Sequence, residues 1–148
     1  MNDTMITQCT LTAEDYDTVR DLWEAAGLHI RPVGRDSREE FAAQIASGCQ
    51  VVLGLQDGDR LVGVVLATSD SRRGWINRLA IHPDYRRRGL GLRLIDACEH
   101  LLRDERGLHV ISCHIEDWND ASIALFTKAG YLHHPDIFYF AKRESQEV

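Results

Sequence analysis

The sequence predicts one α/β (α+β) domain, built on a mixed, mostly antiparallel and twisted sheet with helices on both of its faces. Three observations lead to this class. The chain has 148 residues, of which 44% are hydrophobic, which is enough for one compact core. Two apolar runs flank the turn Asp57-Gly58-Asp59, which predicts an antiparallel hairpin. A strand, a long helix and another strand follow, and a right-handed crossover of this kind joins parallel strands.

The start of the chain predicts a strand and then a helix. Residues 5–11 mix β-branched and apolar side chains, as strands do. Thr12 can cap a helix, with Asp15 three residues later, and the apolar face of that helix recurs at Val19 and Leu22.

A second helix follows an irregular connection. Gly27 should end the first helix, and residues 28–35 show no regular period. Asp36 or Ser37 then caps a helix that Gly48 ends.

The rest of the chain predicts strands around two further helices. Residues 50–55 and 60–68 form the hairpin, and residues 75–82 form the next strand. A helical period runs from Gly89 to about residue 103. The remaining elements are a strand at 109–116, a helix from the cap Asn119 to Gly130, and a final pair of strands at 131–134 and 137–142 around Pro135.

The charge and the cysteines exclude several classes of protein. A net charge of -6 and a pI near 5.6 argue against a protein that coats nucleic acid, because neutralising phosphates needs an excess of Lys and Arg. We expect no signal peptide, because residues 1–10 contain no basic stretch followed by an apolar run. We expect no membrane contact, because no stretch approaches the ~20 apolar residues of a membrane span. We expect reduced thiols in a cytoplasmic protein, because the four cysteines are scattered: Cys9, Cys49, Cys98 and Cys113.

Residues 75–94, WINRLAIHPDYRRRGLGLRL, carry the most informative pattern. A strand ends, a basic turn follows, and Gly89 and Gly91 open a long helix whose first amides have no partner within the helix. Such amides, beside three arginines, suit a pyrophosphate. Neither glycine has a Cβ, so we expect both to let a ligand approach the backbone. The pattern is not a P-loop, which needs Gly-x-x-x-x-Gly-Lys-Ser/Thr, nor a dinucleotide fingerprint, which needs a third glycine where Leu94 stands.

Two segments of the sequence resemble the GNAT acetyltransferase superfamily. Arg86-x-x-Gly89-x-Gly91 is similar to that family's pyrophosphate-binding motif, and it follows the strand ending Leu79-Ala80-Ile81-His82-Pro83. Residues 119–131, NDASIALFTKAGY, resemble the family's later helix, which starts with Asn and ends with Gly-Phe or Gly-Tyr. The resemblance implies a single GNAT-like domain over residues 1–148 that uses acetyl-CoA.

The resemblance also implies which residues bind the cofactor. The amides of residues 87–92 would contact the CoA pyrophosphate, and the backbone at Leu79 and Ile81 would pair with the pantetheine arm. Asn119 would contact the cofactor near the pantetheine or fix the helix start. The full set is Leu79, Ala80, Ile81, Arg86, Arg87, Arg88, Gly89, Leu90, Gly91, Leu92, Asn119 and Phe126.

The family pattern breaks at the acid and the base. Phe126 stands where the family often carries a proton-donating Tyr, and Asn77 stands where many members carry Glu. Tyr85, Tyr131 and Tyr139 are substitutes for the acid by residue type only. For the base we select His114 and Glu116 jointly, because they alternate onto one face of the predicted strand before Asn119.

The acceptor is open at this stage. We expect its site at residues 28–36 and 133–137, and we expect an amine that is either a small molecule or a peptide amino group. Adjacent residues of a strand point to opposite faces, so His133 and His134 do not predict a metal site. The alternative functions are a catalytically weak acyl-CoA-binding module and an interaction protein without cofactor. The oligomeric state is open, and a homodimer is the candidate.

Overall fold

The computed structural model describes residues 5–148, which form one mixed sheet with helices on both faces. Within this range the sheet has five strands in the order β1-β2-β3-β4-β5. The first four are antiparallel neighbours, and β5 runs parallel to β4. The strands are β1 Ile6–Leu11, β2 Gln50–Asp57, β3 Arg60–Ser69, β4 Gly74–Ile81 and β5 Ile111–Ser112. The predicted fold class is confirmed.

Between residues 5 and 148, four α-helices cover the sheet: α1 Tyr16–Ala25, α2 Arg38–Ala46, α3 Leu90–Glu99 and α4 Asp120–Lys128. The face toward α1 and α2 buries Val19, Trp23, Phe41 and Val64. The opposite face, toward α3 and α4, buries a second cluster that includes Ile76, Leu94, Ile95, Cys98 and Phe126. The two-sided core explains why β2 and β3 are apolar along nearly their whole length.

The predicted caps begin and end the helices as expected. The Asp15 carboxylate accepts a hydrogen bond from the Thr12 amide at 2.8 Å before α1. Ser37, rather than Asp36, caps α2, and its hydroxyl accepts a bond from the Glu40 amide at 3.1 Å. Asp36 has a different role, described below. Gly27 has a φ of 84° after α1, a conformation that glycine adopts without strain.

The last third of the chain differs from the prediction. The strand predicted at 109–116 contains only the two residues of β5, because the chain leaves β4 after Ser112. In the described part of the chain, residues 131–142 form no strand. The Tyr131 amide instead donates to Phe126 at 3.0 Å and closes α4, and the Ile137 amide donates to His134 at 3.4 Å in a turn.

The physical reason is that residue type predicts an extended backbone, whereas a strand also needs a neighbouring strand with free hydrogen-bonding groups. Pro135 has no amide hydrogen to contribute to a ladder. Five large hydrophobic side chains of this segment are therefore left exposed: Leu132, Ile137, Phe138, Tyr139 and Phe140.

Candidate active site

The loop between β4 and α3 is held at its start and open at its end. Its first turn, Pro83–Tyr85, is fixed by the buried Tyr85, whose hydroxyl donates to Asp57 at 2.5 Å. Arg87 then has a φ of 64° and Gly89 a φ of 76°, so the backbone turns twice through the left-handed region before α3 begins. A Cβ placed on Gly89 would meet no atom within 4 Å. The space in front of Gly89 is therefore open.

The amides at the start of α3 have no protein partner. Among residues 5–148, the structure shows no acceptor for the amides of Gly89, Leu90, Gly91 and Leu92. The first amide that is bonded belongs to Arg93, which donates to the Gly89 carbonyl at 3.2 Å. The side chain of Leu90 is buried, so Leu90 contacts solvent through its backbone. This end of α3 can accept an anion.

The three arginines of the loop are not equivalent. Arg86 donates to the Ala26 carbonyl at 3.3 Å, and it thereby joins the loop to the end of α1. Arg88 donates to the Asp84 carbonyl at 3.1 Å and lies over the Tyr85 ring, with its guanidinium carbon 4.7 Å from the ring centre. Arg87 is exposed and adds positive charge at the open end.

Gly91 has a packing role that the sequence did not reveal. A Cβ at this position would lie 2.8 Å from Cδ2 of Leu125 on α4, which is closer than side chains approach. We expected Gly91, like Gly89, to clear space for a ligand. The structure assigns its small size to the contact between α3 and α4 instead.

The edge of β4 opens next to this loop. Only Gly74 and Trp75 of β4 pair with β5, so the two strands diverge from Ile76 onward. The register with β3 also shifts there, since Asn77 pairs with Leu66 but Ala80 with Val64, which places a bulge at residues 78 and 79. The Ala80 side chain is buried, so Ala80 can face a ligand through its backbone only.

The two candidate bases follow β5 and are exposed. Cys113 and Ile115 pack against the α3 side of the core, whereas His114 and Glu116 alternate with them and point away from it. The His114 ring lies between two aromatic rings, with its centre 5.0 Å from that of Trp75 and 4.8 Å from that of Tyr139. No local pattern predicts this arrangement, because Tyr139 is 25 positions further along the chain.

The match to a family model shows to which protein family the chain belongs. Residues 16–131 match the model of the acetyltransferase (GNAT) family, a stretch that contains α1, the open loop, β5 and α4. The chain belongs to the GNAT acetyltransferase family. It is accordingly a member of an acetyltransferase family, as the two sequence motifs predicted.

Solved GNAT structures have the same fold at low sequence identity. An aminoglycoside acetyltransferase from an uncultured soil metagenomic sample, in complex with sisomicin, superposes with a TM-score of 0.76 at 16% identity, over 95% of this chain and 99% of that one. The ribosomal-protein-alanine N-acetyltransferase of Brucella melitensis biovar Abortus 2308 gives 0.72 at 16% identity, with the same two coverages. The predicted acetyltransferase of Clostridium acetobutylicum, with acetyl-CoA, gives 0.75 at 12% identity, over 92% and 96%.

Two of the three tyrosines considered as substitutes for the GNAT acid already donate to carboxylates. Tyr131 donates to Glu99 of α3 at 2.8 Å, and burial, followed by this bond, raises the pKa of its hydroxyl. Tyr85 donates to Asp57, as described above. Tyr139 remains, in contact with His114. Phe126 is buried and packs edge-on against Tyr131, with ring centres 5.2 Å apart.

Asn77 and Asn119 are both engaged in local hydrogen bonds. The Asn77 side-chain amide donates to the Thr68 hydroxyl at 3.1 Å across β3 and β4. The Asn119 side-chain oxygen accepts from the Ser122 amide at 3.1 Å and caps α4. Asn119 therefore fixes the helix start, which was one of its two predicted roles.

The connection between α1 and α2 meets the end of the chain. Arg31 donates to the Gln146 carbonyl, and a Cβ on Gly34 would lie 2.9 Å from Cα of Val148. The second segment predicted for the acceptor, residues 133–137, is exposed. The structure thus brings residues 31–34 next to residues 146–148.

The thiols are free, and the two more buried ones are inert. Burial raises the pKa of Cys98 to about 12 and that of Cys113 to about 11, so both are neutral near pH 7. The described residues hold no group of three His, Cys, Asp or Glu side chains that could bind a metal ion. None of the helices between residues 5 and 148 is long and apolar enough to cross a bilayer.

Proposed function

We propose that this protein transfers the acetyl group of acetyl-CoA to a primary amine by direct attack, with no covalent enzyme intermediate. The observation that carries the proposal is the set of unbonded amides at the start of α3, directly beside the opening between β4 and β5. A diphosphate at the amides and an extended arm along β4 would place a thioester between the two strands.

The chain's own residues would divide the binding of acetyl-CoA between them. The amides of residues 87–92 would hold the pyrophosphate, with positive charge from Arg86, Arg87 and Arg88. The backbone of Leu79 and Ile81 would pair with the pantetheine arm, because the bulge and the divergence leave this edge of β4 without a neighbouring strand. Gly89 supports this placement, since the space in front of it is open.

His114 or Glu116 would accept a proton from the attacking amine, directly or through a water molecule. Both side chains are exposed on the same side of the chain, and two aromatic rings fix the orientation of the His114 imidazole. A base is needed because only a neutral amine attacks the thioester carbon. An α-amino group, with a reference pKa of ~7.7–8.0, needs much less help than a lysine at ~10.4.

In the step that follows, the new C–N bond forms and the C–S bond breaks, so CoA leaves as a thiolate. Phe126 has no proton to give, and Tyr85 and Tyr131 donate theirs to Asp57 and Glu99. A thiol with a reference pKa of ~8.5 is an acceptable leaving group without an acid. We therefore propose that the sulfur is protonated by solvent or by Tyr139, beside His114.

The acceptor that we propose is a small-molecule amine or the amino group of a peptide. Both classes occur among the structural neighbours, which include an aminoglycoside acetyltransferase and a ribosomal-protein-alanine acetyltransferase. We also propose a cytoplasmic location, supported by four free cysteines, and a homodimer, supported by the large apolar side chains exposed after α4.

The direct test is to incubate the protein with acetyl-CoA and a panel of amines, and to follow free CoA and the acetylated product by mass spectrometry. The panel contains an aminoglycoside, a peptide that begins with alanine, a polyamine and a peptide with an internal lysine. We expect CoA release in equal amount to an N-acetylated product for at least one class.

Two other results would count against this function. Tight CoA binding without turnover of any amine would favour a binding module. The absence of CoA binding, measured as an unchanged melting temperature at saturating CoA, would remove the cofactor site altogether.

A further inference from the structure

Arg78 lies at the bulge of β4 in an unusual backbone conformation. Its φ is 54°, and it is the only residue of β4 with a positive φ. A residue with a Cβ is strained in this region and stays there only when its surroundings hold it. The bulge separates the pair Asn77 and Leu66 from the pair Ala80 and Val64.

The Arg78 side chain is held by the connection between α1 and α2. Its guanidinium donates to the His29 carbonyl at 2.6 Å and forms an ion pair with Asp36. The guanidinium carbon also lies 5.3 Å from the centre of the Trp23 ring. The exposed fractions of the two charged side chains are only 17% and 6%, so this ion pair is largely removed from solvent.

Asp36 is bound on both its side chain and its backbone. The carboxylate also accepts from the Arg31 amide at 2.8 Å, and the Asp36 carbonyl accepts from the Tyr16 hydroxyl at 2.5 Å. Arg78 is thus connected to both ends of the segment that runs from His29 to Asp36. This segment lies within residues 28–36, where we expect part of the binding site for the acceptor amine.

Stability alone does not account for this arrangement. Removing two charges from water costs about as much as their attraction returns, and an apolar pair of similar volume often stabilises a fold at least as well. Burial indeed lowers the pKa of Arg78, against the opposing effect of Asp36. The ion pair instead fixes relative positions, because one planar guanidinium holds two acceptors, the His29 carbonyl and the Asp36 carboxylate, in a set orientation.

We propose that Arg78 is a positioning residue that holds the α1–α2 connection against β4. It directly precedes Leu79, whose backbone is proposed to pair with the pantetheine arm. Arg78 thereby sets where the acceptor amine meets the thioester. This rests on the proposed function, in which acetyl-CoA lies along β4. A side chain that reaches from the cofactor strand to the acceptor segment fixes the distance between the two substrates.

The test compares Arg78→Lys, Arg78→Gln and Asp36→Asn with a matched control, Arg106→Lys. Arg106 likewise donates to the carbonyl of a helix end, Gly48 at 2.9 Å, but at the other end of α3. With the best amine from the panel, we expect the amine KM to rise about tenfold or more in the Arg78 and Asp36 variants. The acetyl-CoA dissociation constant should stay within about twofold, and Arg106→Lys should match the wild type.

Hydrogen exchange of the folded variants is a second measurement that needs no turnover. The amides of residues 28–37 should exchange faster in Arg78→Gln and in Asp36→Asn, while those of α3 stay protected. Unchanged exchange in this segment, or a KM for acetyl-CoA that rises as much as that for the amine, would overturn the proposal. A wild-type protein that acetylates no amine would contradict the proposed function instead, and the exchange experiment would still decide whether Arg78 holds the segment.

Discussion

At the scale of single residues, the chemistry depends on which side chains are available to take or give a proton. Tyr131 and Tyr85 donate to carboxylates, and the pKa of Cys98 and Cys113 is raised by burial. His114 and Glu116, in contrast, are exposed beside the opening between β4 and β5. We therefore propose that the residues after β5, His114 or Glu116, take the proton from the amine.

Replacing His114 or Glu116 separates the two candidate bases. If His114 is the base, His114→Ala should lower kcat by about 10²–10⁴-fold while the acetyl-CoA KM changes little, because the lost interaction concerns the amine proton. Glu116→Gln should then have a small effect, and the reverse pattern would assign Glu116. Steady-state kinetics at saturating acetyl-CoA measure this. The control is His100→Ala, since His100 is exposed on the segment that continues α3 and contacts Asp104.

The loss in the active variant should shrink as the pH rises toward the pKa of the acceptor amine, since more of the amine is then already neutral. If neither variant lowers kcat more than His100→Ala does, residues after β5 take no part in proton transfer.

At the scale of elements, the contact between α3 and α4 supports the loop that precedes it. Leu125 fills the space that the missing side chain of Gly91 leaves, and Tyr131 donates to Glu99 across the same pair of helices. The start of α3 is thus supported from one side and open on the other. The support from α4 explains how the loop keeps its shape although the first amides of α3 have no protein acceptor.

A double-mutant cycle tests this contact. Gly91→Val should lower the free energy of unfolding by about 1–3 kcal/mol, because the added methyl groups overlap the Leu125 side chain. Adding Leu125→Ala to Gly91→Val should recover part of that loss, with a coupling of about 0.5–3 kcal/mol. Urea denaturation without CoA measures both. Strictly additive effects would show that the two residues do not share this space.

The elements also show why sequence predicts some structures better than others. Helix caps such as Thr12 with Asp15, Ser37 and Asn119 depend on contacts within three residues, and all of them are found. The predicted strands after α4 depend on a partner elsewhere in the chain, and no local pattern reports whether one exists. The residues 137–142 are apolar and β-prone but pair with no strand in the part of the chain that the structure describes.

In the candidate site, too, local features could be predicted from the sequence, whereas contacts between distant residues could not. Residues 86–92 form a contiguous motif, so the loop and its open amides follow from the sequence. Arg78 and Asp36 are 42 positions apart, and only the folded sheet brings them together. The one local sign was the polar pair Asn77 and Arg78 within an otherwise apolar strand, which marks an irregular position without revealing its partner.

At the scale of the whole molecule, β4 lies beside both proposed substrate sites, that of the cofactor and that of the acceptor amine. Its end leads into the loop that we propose for the diphosphate, and its free edge is the proposed site of the pantetheine arm. Arg78 at its bulge reaches the α1–α2 connection. In this proposal one strand contacts both substrate sites, one along its edge and the other through a side chain. The central claim is that the amides at the start of α3 bind the diphosphate of CoA.

Calorimetric titration of CoA into Gly89→Leu and Gly107→Leu tests this claim most directly. Both glycines have a positive φ, 76° and 71°, and a Cβ on either would meet no atom within 4 Å, so the backbone strain is matched while only Gly89 lies at the loop. Gly107→Leu should bind CoA as the wild type does and gain ~2.7 kcal/mol of stability at CoA concentrations one hundred times the dissociation constant. Gly89→Leu should bind at least about tenfold more weakly, because its side chain fills the diphosphate position. Equal affinities in the two variants would contradict the account.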